Sequence, residues 1–177
     1  LLGDDVARAR QLRERIIATV QQHRPPAERG WGTFLSGGTD SSSISGILAI
    51  QDRSARVHSF SIGFDESGFD ELGYSRIASR HFGLEAHERK VGEGDAVALI
   101  PRLASIFDEP FGNSSAIPTY YCAELAARGG FEILIAGDGG DEIFGGNERY
   151  RKDQIFGAYY RAPAALHSTG RLLARLG

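Results

Sequence analysis

The chain has no methionine, one tryptophan and one cysteine, Cys122, in 177 residues. A single cysteine excludes an internal disulfide framework and suits a reducing compartment, so a cytoplasmic protein is expected. Lysine is almost missing as well, with Lys90 and Lys152 its only members, and the formal net charge is −3. No overall basic field therefore favours nucleic acid or an anionic membrane as partner. No secretory leader is expected, and no apolar run is long enough to span a bilayer. A chain that opens on Leu1 and lacks methionine reads as a piece of a longer protein.

What is present suits one domain with a real core, since 41% of the residues are hydrophobic. The pattern alternates strands and helices. Residues 4–23 carry Val6, Leu12, Ile16, Ile17 and Val20 among many charges, which predicts an amphipathic helix. Residues 24–30, with Pro25-Pro26, read as a linker. Strands are expected at 31–35, 56–62, 85–91 (more exposed) and 131–136, the last being the clearest buried run. Between them Ile44, Ile47 and Leu48 mark one helix, and Tyr74, Ile77, Ala78 and Phe82 a second, closed by Gly83. Ala96, Leu99, Ile100, Leu103 and Phe107 form a third stripe that Pro101 should kink or divide. Tyr121, Cys122, Leu125 and Ala126 line a fourth helix, which Pro118 would start and Gly129 end. Strands separated by helices predict an α/β fold, a twisted parallel sheet with helices on both faces.

Two of those strands run into acidic, glycine-rich loops. The first is Ser36-Gly37-Gly38-Thr39-Asp40-Ser41-Ser42-Ser43. Gly37 and Gly38 can take positive φ and let a ligand approach the backbone. The amides of the turn and of the helix behind it make an anion site. Asp40 among those donors would repel a bare phosphate, so it makes sense as ligand to a divalent cation riding on a polyphosphate. The second loop is Gly137-Asp138-Gly139-Gly140-Asp141-Glu142. Ligands of such sheets bind beyond the carboxyl ends of the strands. If both loops line one crevice, Asp40 and Asp141 share a magnesium ion with the phosphates. Other signatures are missing. There is no Walker loop, no Gly-x-Gly-x-x-Gly after the first strand, no hydrolase Gly-x-Ser-x-Gly, and no zinc-site spacing among the five histidines.

Ser-Gly-Gly-x-Asp-Ser after a strand resembles the pyrophosphate loop of the N-type ATP pyrophosphatases. Four segments in order carry a closer resemblance: residues 35–42, His58-Ser59-Phe60-Ser61-Ile62-Gly63, Asp108-Glu109-Pro110, and residues 137–146. They are similar to the synthetase domain of glutamine-hydrolysing asparagine synthases. Residues 108–115 and 145–150 look closest to asparagine-synthase-like amidotransferases of bacterial polysaccharide clusters. The resemblance implies an adenine nucleotide alpha hydrolase-like (Rossmann-like) fold, truncated. It also implies one partial domain over 1–177, with a nucleotide-binding core at about 30–150, a helical tail at 150–177 and the glutaminase domain absent.

Such enzymes use Mg²⁺ and ATP to turn a carboxylic acid, aspartate or a related one, into an acyl-adenylate. Ammonia from glutamine then displaces AMP. On the matching positions Ser36, Gly37, Gly38, Ser41 and Ser42 would hold pyrophosphate, and Asp40 and Asp141 the metal. Leu35 and Ile62 would meet adenine through backbone groups, and Ala136 and Gly137 would flank the ribose or α-phosphate. Asp138 falls where the family has an acidic residue proposed to act on the attacking amine. Glu109 is a candidate for the acid substrate, in an irregular polar loop. Thr39 departs from the family's Ile or Leu, and the family's adenylation lysine has no match here. A homodimer stays open. So do two other functions: a related adenylating cyclase forming a β-lactam or macrolactam, and a non-catalytic nucleotide-binding scaffold.

The remaining polar residues have plain readings. Cys122 is a core residue, His58 a packed strand residue, and His81 and His87 surface residues. Asp65, Glu66, Asp70 and Glu71 form a solvated loop in which Asp70 caps the next helix.

Overall fold

The computed structural model describes residues 2–26, 28–51, 56–66, 70–109, 112–146, 150, 152–154, 157 and 161. It divides into two compact units, 1–137 and 138–177. The first holds α1 (Leu2–Gln22), β1 (Trp31–Phe34), α2 (Thr39–Gln51), β2 (His58–Phe64) and α3 (Leu72–Phe82). It continues with β3 (Glu85–Val91), α4 (Glu93–Ile106), α5 (Ala116–Arg128) and β4 (Ile133–Ile135). All strand pairs are parallel, in the order β3-β2-β1-β4. The chain thus walks outward from β1 to β3 and returns to pair β4 on the other side of β1. That reversal is the topological switch point, where open α/β sheets bind ligands.

Strand alternation sorts the two faces. Phe34, Phe60 and Ile62 pack with Cys122, Ala126 and Leu134 under α5, while Val91, Leu99 and Tyr121 join α4 and α5 to the sheet edge. On the other face Thr33 of β1 and Ser59 of β2, small and hydroxylated, meet Ser45 of α2 and Ser79 of α3. Thr33, Ser45, Ser59 and Ser79 are all buried. Ser45 Oγ bonds Thr33 Oγ1 at 2.9 Å and the Ser41 carbonyl at 2.8 Å, and Ser59 and Ser79 face each other at 3.4 Å. Each buried hydroxyl of this seam has a partner, which removes the penalty of burying it.

Close helix approach on this face overrides the expected apolar stripes. On α2 the buried positions are Ser45, Gly46 and Leu48, and a Cβ on Gly46 would lie 2.6 Å from the Phe82 ring. On α3 Tyr74 and Ile77 point to solvent, while Leu72, Ser75, Ala78 and Ser79 are buried. Gly83 closes α3 at φ 67°, and its N-cap is Glu71, which makes no side-chain cap bond; Asp70, expected as the cap, stands one position earlier and accepts the Leu72 amide at 3.2 Å. Pro101 neither ends nor divides α4. It and Val97, whose carbonyl loses its donor, are both exposed to water.

β4 is shorter than the expected 131–136 strand and only half-buried. Its approach is used otherwise: Gly130 takes φ 82°, and the Glu132 and Ile133 amides both donate to the Gly30 carbonyl. His58 is a packed strand residue, as expected, leaning on Phe131, but His87 is half-buried rather than at the surface and meets His58 across the β2–β3 ladder, Nδ1 and Nε2 2.9 Å apart.

The second unit contains α6 (Gly140–Phe144), bracketed by Gly139 at φ 89° and Gly145 at φ 68°. Most of the expected 150–177 tail lies outside the described residues, as do Pro110, Phe111 and 147–149.

Candidate functional site

The first loop turns at Gly37, with φ +89°. A Cβ there would stand 2.5 Å from the Ser75 amide nitrogen, so the first turn of α3 supports the loop from beneath. Ser36 and Ser41 close the loop with hydroxyls 3.0 Å apart, and the Gly38 amide donates to Ser36 Oγ at 3.2 Å. The first α2 bond is Ser42 N–H to the Gly38 carbonyl, at 3.1 Å. The Thr39, Asp40 and Ser41 amides precede that bond and have no carbonyl to serve within the helix. Three such donors at the positive end of a 13-residue helix suit an anion. Ser42 Oγ, one position on, is buried with no hydrogen-bond partner. A buried hydroxyl without a partner in a loop of this kind is what a phosphate oxygen would satisfy.

The end of β4 comes to the same place. A Cβ on Gly137 would lie 2.8 Å from the Ser41 nitrogen and 3.1 Å from the Asp40 Cβ. Only glycine allows the chain to cross the N-terminus of α2 at this distance. Asp40 is half-buried there, at the start of the helix.

Beside the loop a cleft of about 360 Å³ opens past the ends of β1 and β2. Phe34, Phe60, Ile62 and Cys122 form its apolar wall, and Ser61, Ser115 and Glu71 add polar groups. Ladder alternation puts the Ile62 N–H and C=O on the same edge of β2 as those of Phe60, the edge that faces β1. β1 has ended by then, and both main-chain groups of Leu35 are taken: its amide by the Phe60 carbonyl at 2.9 Å, its carbonyl by Ser61 Oγ at 2.6 Å. Ile62 therefore offers an N–H and a C=O to the cleft, the complement of a purine edge. A second hollow of about 800 Å³ shares Phe64, Ser115 and Pro118 with it and carries Asp65, Glu66 and Glu93.

Leu35, Ser36, Gly37, Gly38, Asp40, Ser41, Ser42 and Gly137 are thus together, with Ile62 lining the adjoining cleft. Ala136 is half-buried at the end of β4. Asp138 and Asp141 belong to the second unit and are exposed. In that unit the Gly145 and Gly146 amides both donate to the Asp141 carbonyl. Glu109 is exposed and lines neither cleft. Ser61 and Ser115 escaped the sequence reading. Ser61 sits in the matching segment next to Ile62, but only the cleft gives it a role. Cys122 is buried, and desolvation pushes its thiol up to about 12, which makes it inert wall rather than nucleophile.

The asparagine synthase family model matches residues 11–176. The chain belongs to the asparagine synthase family. Among its relatives, a Methanocaldococcus jannaschii protein provisionally named asparagine synthetase (glutamine-hydrolyzing) 2 is 43% identical over 65% of this chain and 22% of its own length. Asparagine synthetase (glutamine-hydrolyzing) 1 of Bacillus subtilis is 29% identical over 89% of this chain and 24% of its own. A Gibberella zeae protein named amidase chry2 is 27% identical over 90% of this chain and 26% of its own. The chain spans about a quarter of the length of these relatives. As a member of the asparagine synthase family it has the α/β fold the sequence predicts. Among the described residues no helix is long and apolar enough to cross a membrane.

Proposed function

We propose that the chain is the nucleotide-binding part of a cytoplasmic, ATP-dependent amide synthetase. A carboxylate attacks the α-phosphorus of ATP to give an acyl-adenylate and pyrophosphate. Ammonia, drawn from glutamine by another part of the longer protein, attacks the acyl carbon and releases the amide and AMP. The observation that carries this reading is the meeting of the β1 loop and the end of β4 at the switch point. Free helix amides and the unpartnered Ser42 hydroxyl lie there together.

In this reading the loop from Ser36 to Ser42 holds the β- and γ-phosphates, and adenine lies in the cleft against the Ile62 main chain. Leu35 has only the second lone pair of its carbonyl to offer, because its amide is spent in the sheet. Magnesium fits the donor set, a half-buried carboxylate beside phosphate-directed amides, and Asp40 and Asp141 are the ligands proposed for it. When bound, it would neutralise charge on the leaving pyrophosphate. Ala136 and Gly137 border the ribose or α-phosphate. Asp138, the next residue along, orients the ammonia or takes its proton. The hollow with Asp65, Glu66 and Glu93 has the wrong sign for a carboxylate and the right one for an ammonium. It supports an acid that also carries an amino group, as aspartate does, in place of a contact to Glu109.

The reading is tested by exchange of labelled pyrophosphate into ATP, catalysed by the intact longer protein with a panel of acids led by aspartate. Acid-dependent exchange is expected, reduced at least about a hundredfold by Asp40→Asn, the scale of losing one charge-stabilising group. Absence of exchange with every acid, in protein that still binds Mg·ATP, would support the scaffold reading instead.

A further inference from the structure

At the opposite ends of the same strands lies a cluster that the nucleotide chemistry does not use. His58 opens β2 and Glu85 opens β3, and the two are directly paired in the ladder. His87 follows two residues after Glu85 and so projects from the same face. One ligand atom from each of the three lies within 4.8 Å of the others. The facing nitrogens of the two histidines are 2.9 Å apart. Neighbouring aromatic rings fix the imidazoles: His87 stacks on Phe60 at 4.7 Å between centroids and 12° between planes, and His58 leans on Phe131 at 4.6 Å. Burial lowers the His58 pKa, the Glu85 carboxylate opposes it, and His87 and Arg56 act in the same sense as burial.

We propose that His58, His87 and Glu85 form a binding site for a zinc-class divalent transition ion. Two imidazoles and a carboxylate are a common zinc donor set, and water fills the fourth position. With bonds of about 2.0–2.1 Å, tetrahedral ligands stand roughly 3.3 Å apart. The histidine nitrogens need to spread by only a few tenths of an ångström, the ion replacing the proton they share. Glu85 has a half-open side chain whose present partner is Arg56, 3.7 Å away across an exposed ion pair. Releasing that pair costs about 1 kcal/mol or less. Four residues of strand separate His58 from Ile62, about 13 Å at the usual rise. The ion would thus sit apart from the nucleotide cleft, and the inference does not depend on the proposed function. Magnesium does not compete, since it prefers oxygen ligands.

The test is titration of the untagged, metal-free chain with Zn²⁺ against a chromophoric chelator, and with Co²⁺ followed by visible absorption. One equivalent of Zn²⁺ should bind, and Co²⁺ should give the intense bands of a four-coordinate site. Partners one shell out from a metal are worth about 10- to 100-fold in affinity, so direct ligands are worth more. His87→Gln should abolish binding, and Glu85→Gln should weaken it by more than about tenfold. Asp40→Asn should leave it unchanged. His58→Gln should also abolish binding. Because that side chain is packed against Phe131 and its variant could unfold, the two β3 variants on the sheet edge carry the test. The proposal is overturned if the wild-type chain takes up no stoichiometric Zn²⁺, or if folded His87→Gln binds it as tightly as wild type.

Discussion

At Gly37 two constraints coincide. Its φ of +89° is costly for any residue with a Cβ, and a Cβ there would also strike the backbone of Tyr74 and Ser75. The conformational term alone is about 1–2 kcal/mol. Gly37→Ala should therefore lose about 2 kcal/mol or more in urea unfolding, together with nucleotide binding, as the loop lifts from α3. An unchanged urea midpoint would mean that the loop does not rest on α3. Gly37 was legible in the sequence because glycine before a helix has few other uses. Ser42 was legible only as one hydroxyl among several, and its lack of a partner had to be seen in three dimensions. The His58–His87 pair was not legible at all. The two are 29 positions apart, and no spacing rule encodes the register of a parallel ladder that joins them.

Among the elements, the chain leaving β4 crosses the N-terminus of α2 at Gly137. Gly137→Ala would push its methyl against the Ser41 nitrogen, 2.8 Å away. The substitution should weaken Mg·ATP binding more than it lowers stability, which parallel calorimetric titration and urea unfolding would separate. Equal binding by the variant would remove this crossing from the site.

A second junction joins β3 to α5, where Arg89 and Glu124 meet at 2.5 Å. The hydrogen bond from Arg89, then the charges of Arg128 and Arg89, hold the Glu124 carboxyl below its ordinary value of 4.5 in spite of some desolvation. A carboxylate depressed in the folded state contributes stability above its unfolded pKa, and that contribution is lost as pH falls through the folded one. Glu124→Gln should cost up to about 1 kcal/mol at neutral pH and nothing once the pH is well below 4. A cost that persists in acid would show that packing, not the ion pair, is what the substitution removes. Helix positions came through well from periodicity, as α4 and α5 show. The buried faces of α2 and α3 did not, because they approach the sheet so closely that serine and glycine displace the apolar stripe. Pro101 does not divide α4, where it and Val97, whose carbonyl loses its donor, are both exposed.

For the whole molecule, the parallel order β3-β2-β1-β4 puts the chain reversal beside β1, and the loop motif stands at that reversal. Strand–helix alternation foretold the fold class, and the glycine loop stands at the chain reversal of the sheet. The acidic hollow proposed for the substrate was out of reach, because Asp65, Glu66 and Glu93 come together only across β2, β3 and α4. The central claim is that the loop after β1 binds metal-bound ATP. It is tested most directly by calorimetric titration of the chain with Mg·ATP, beside Asp40→Asn and Asp141→Asn. Saturable binding at one site, weakened in both variants while their urea midpoints stay at the wild-type value, is the predicted result. Folded wild-type chain that takes up no Mg·ATP, or binding that both variants retain in full, would contradict it.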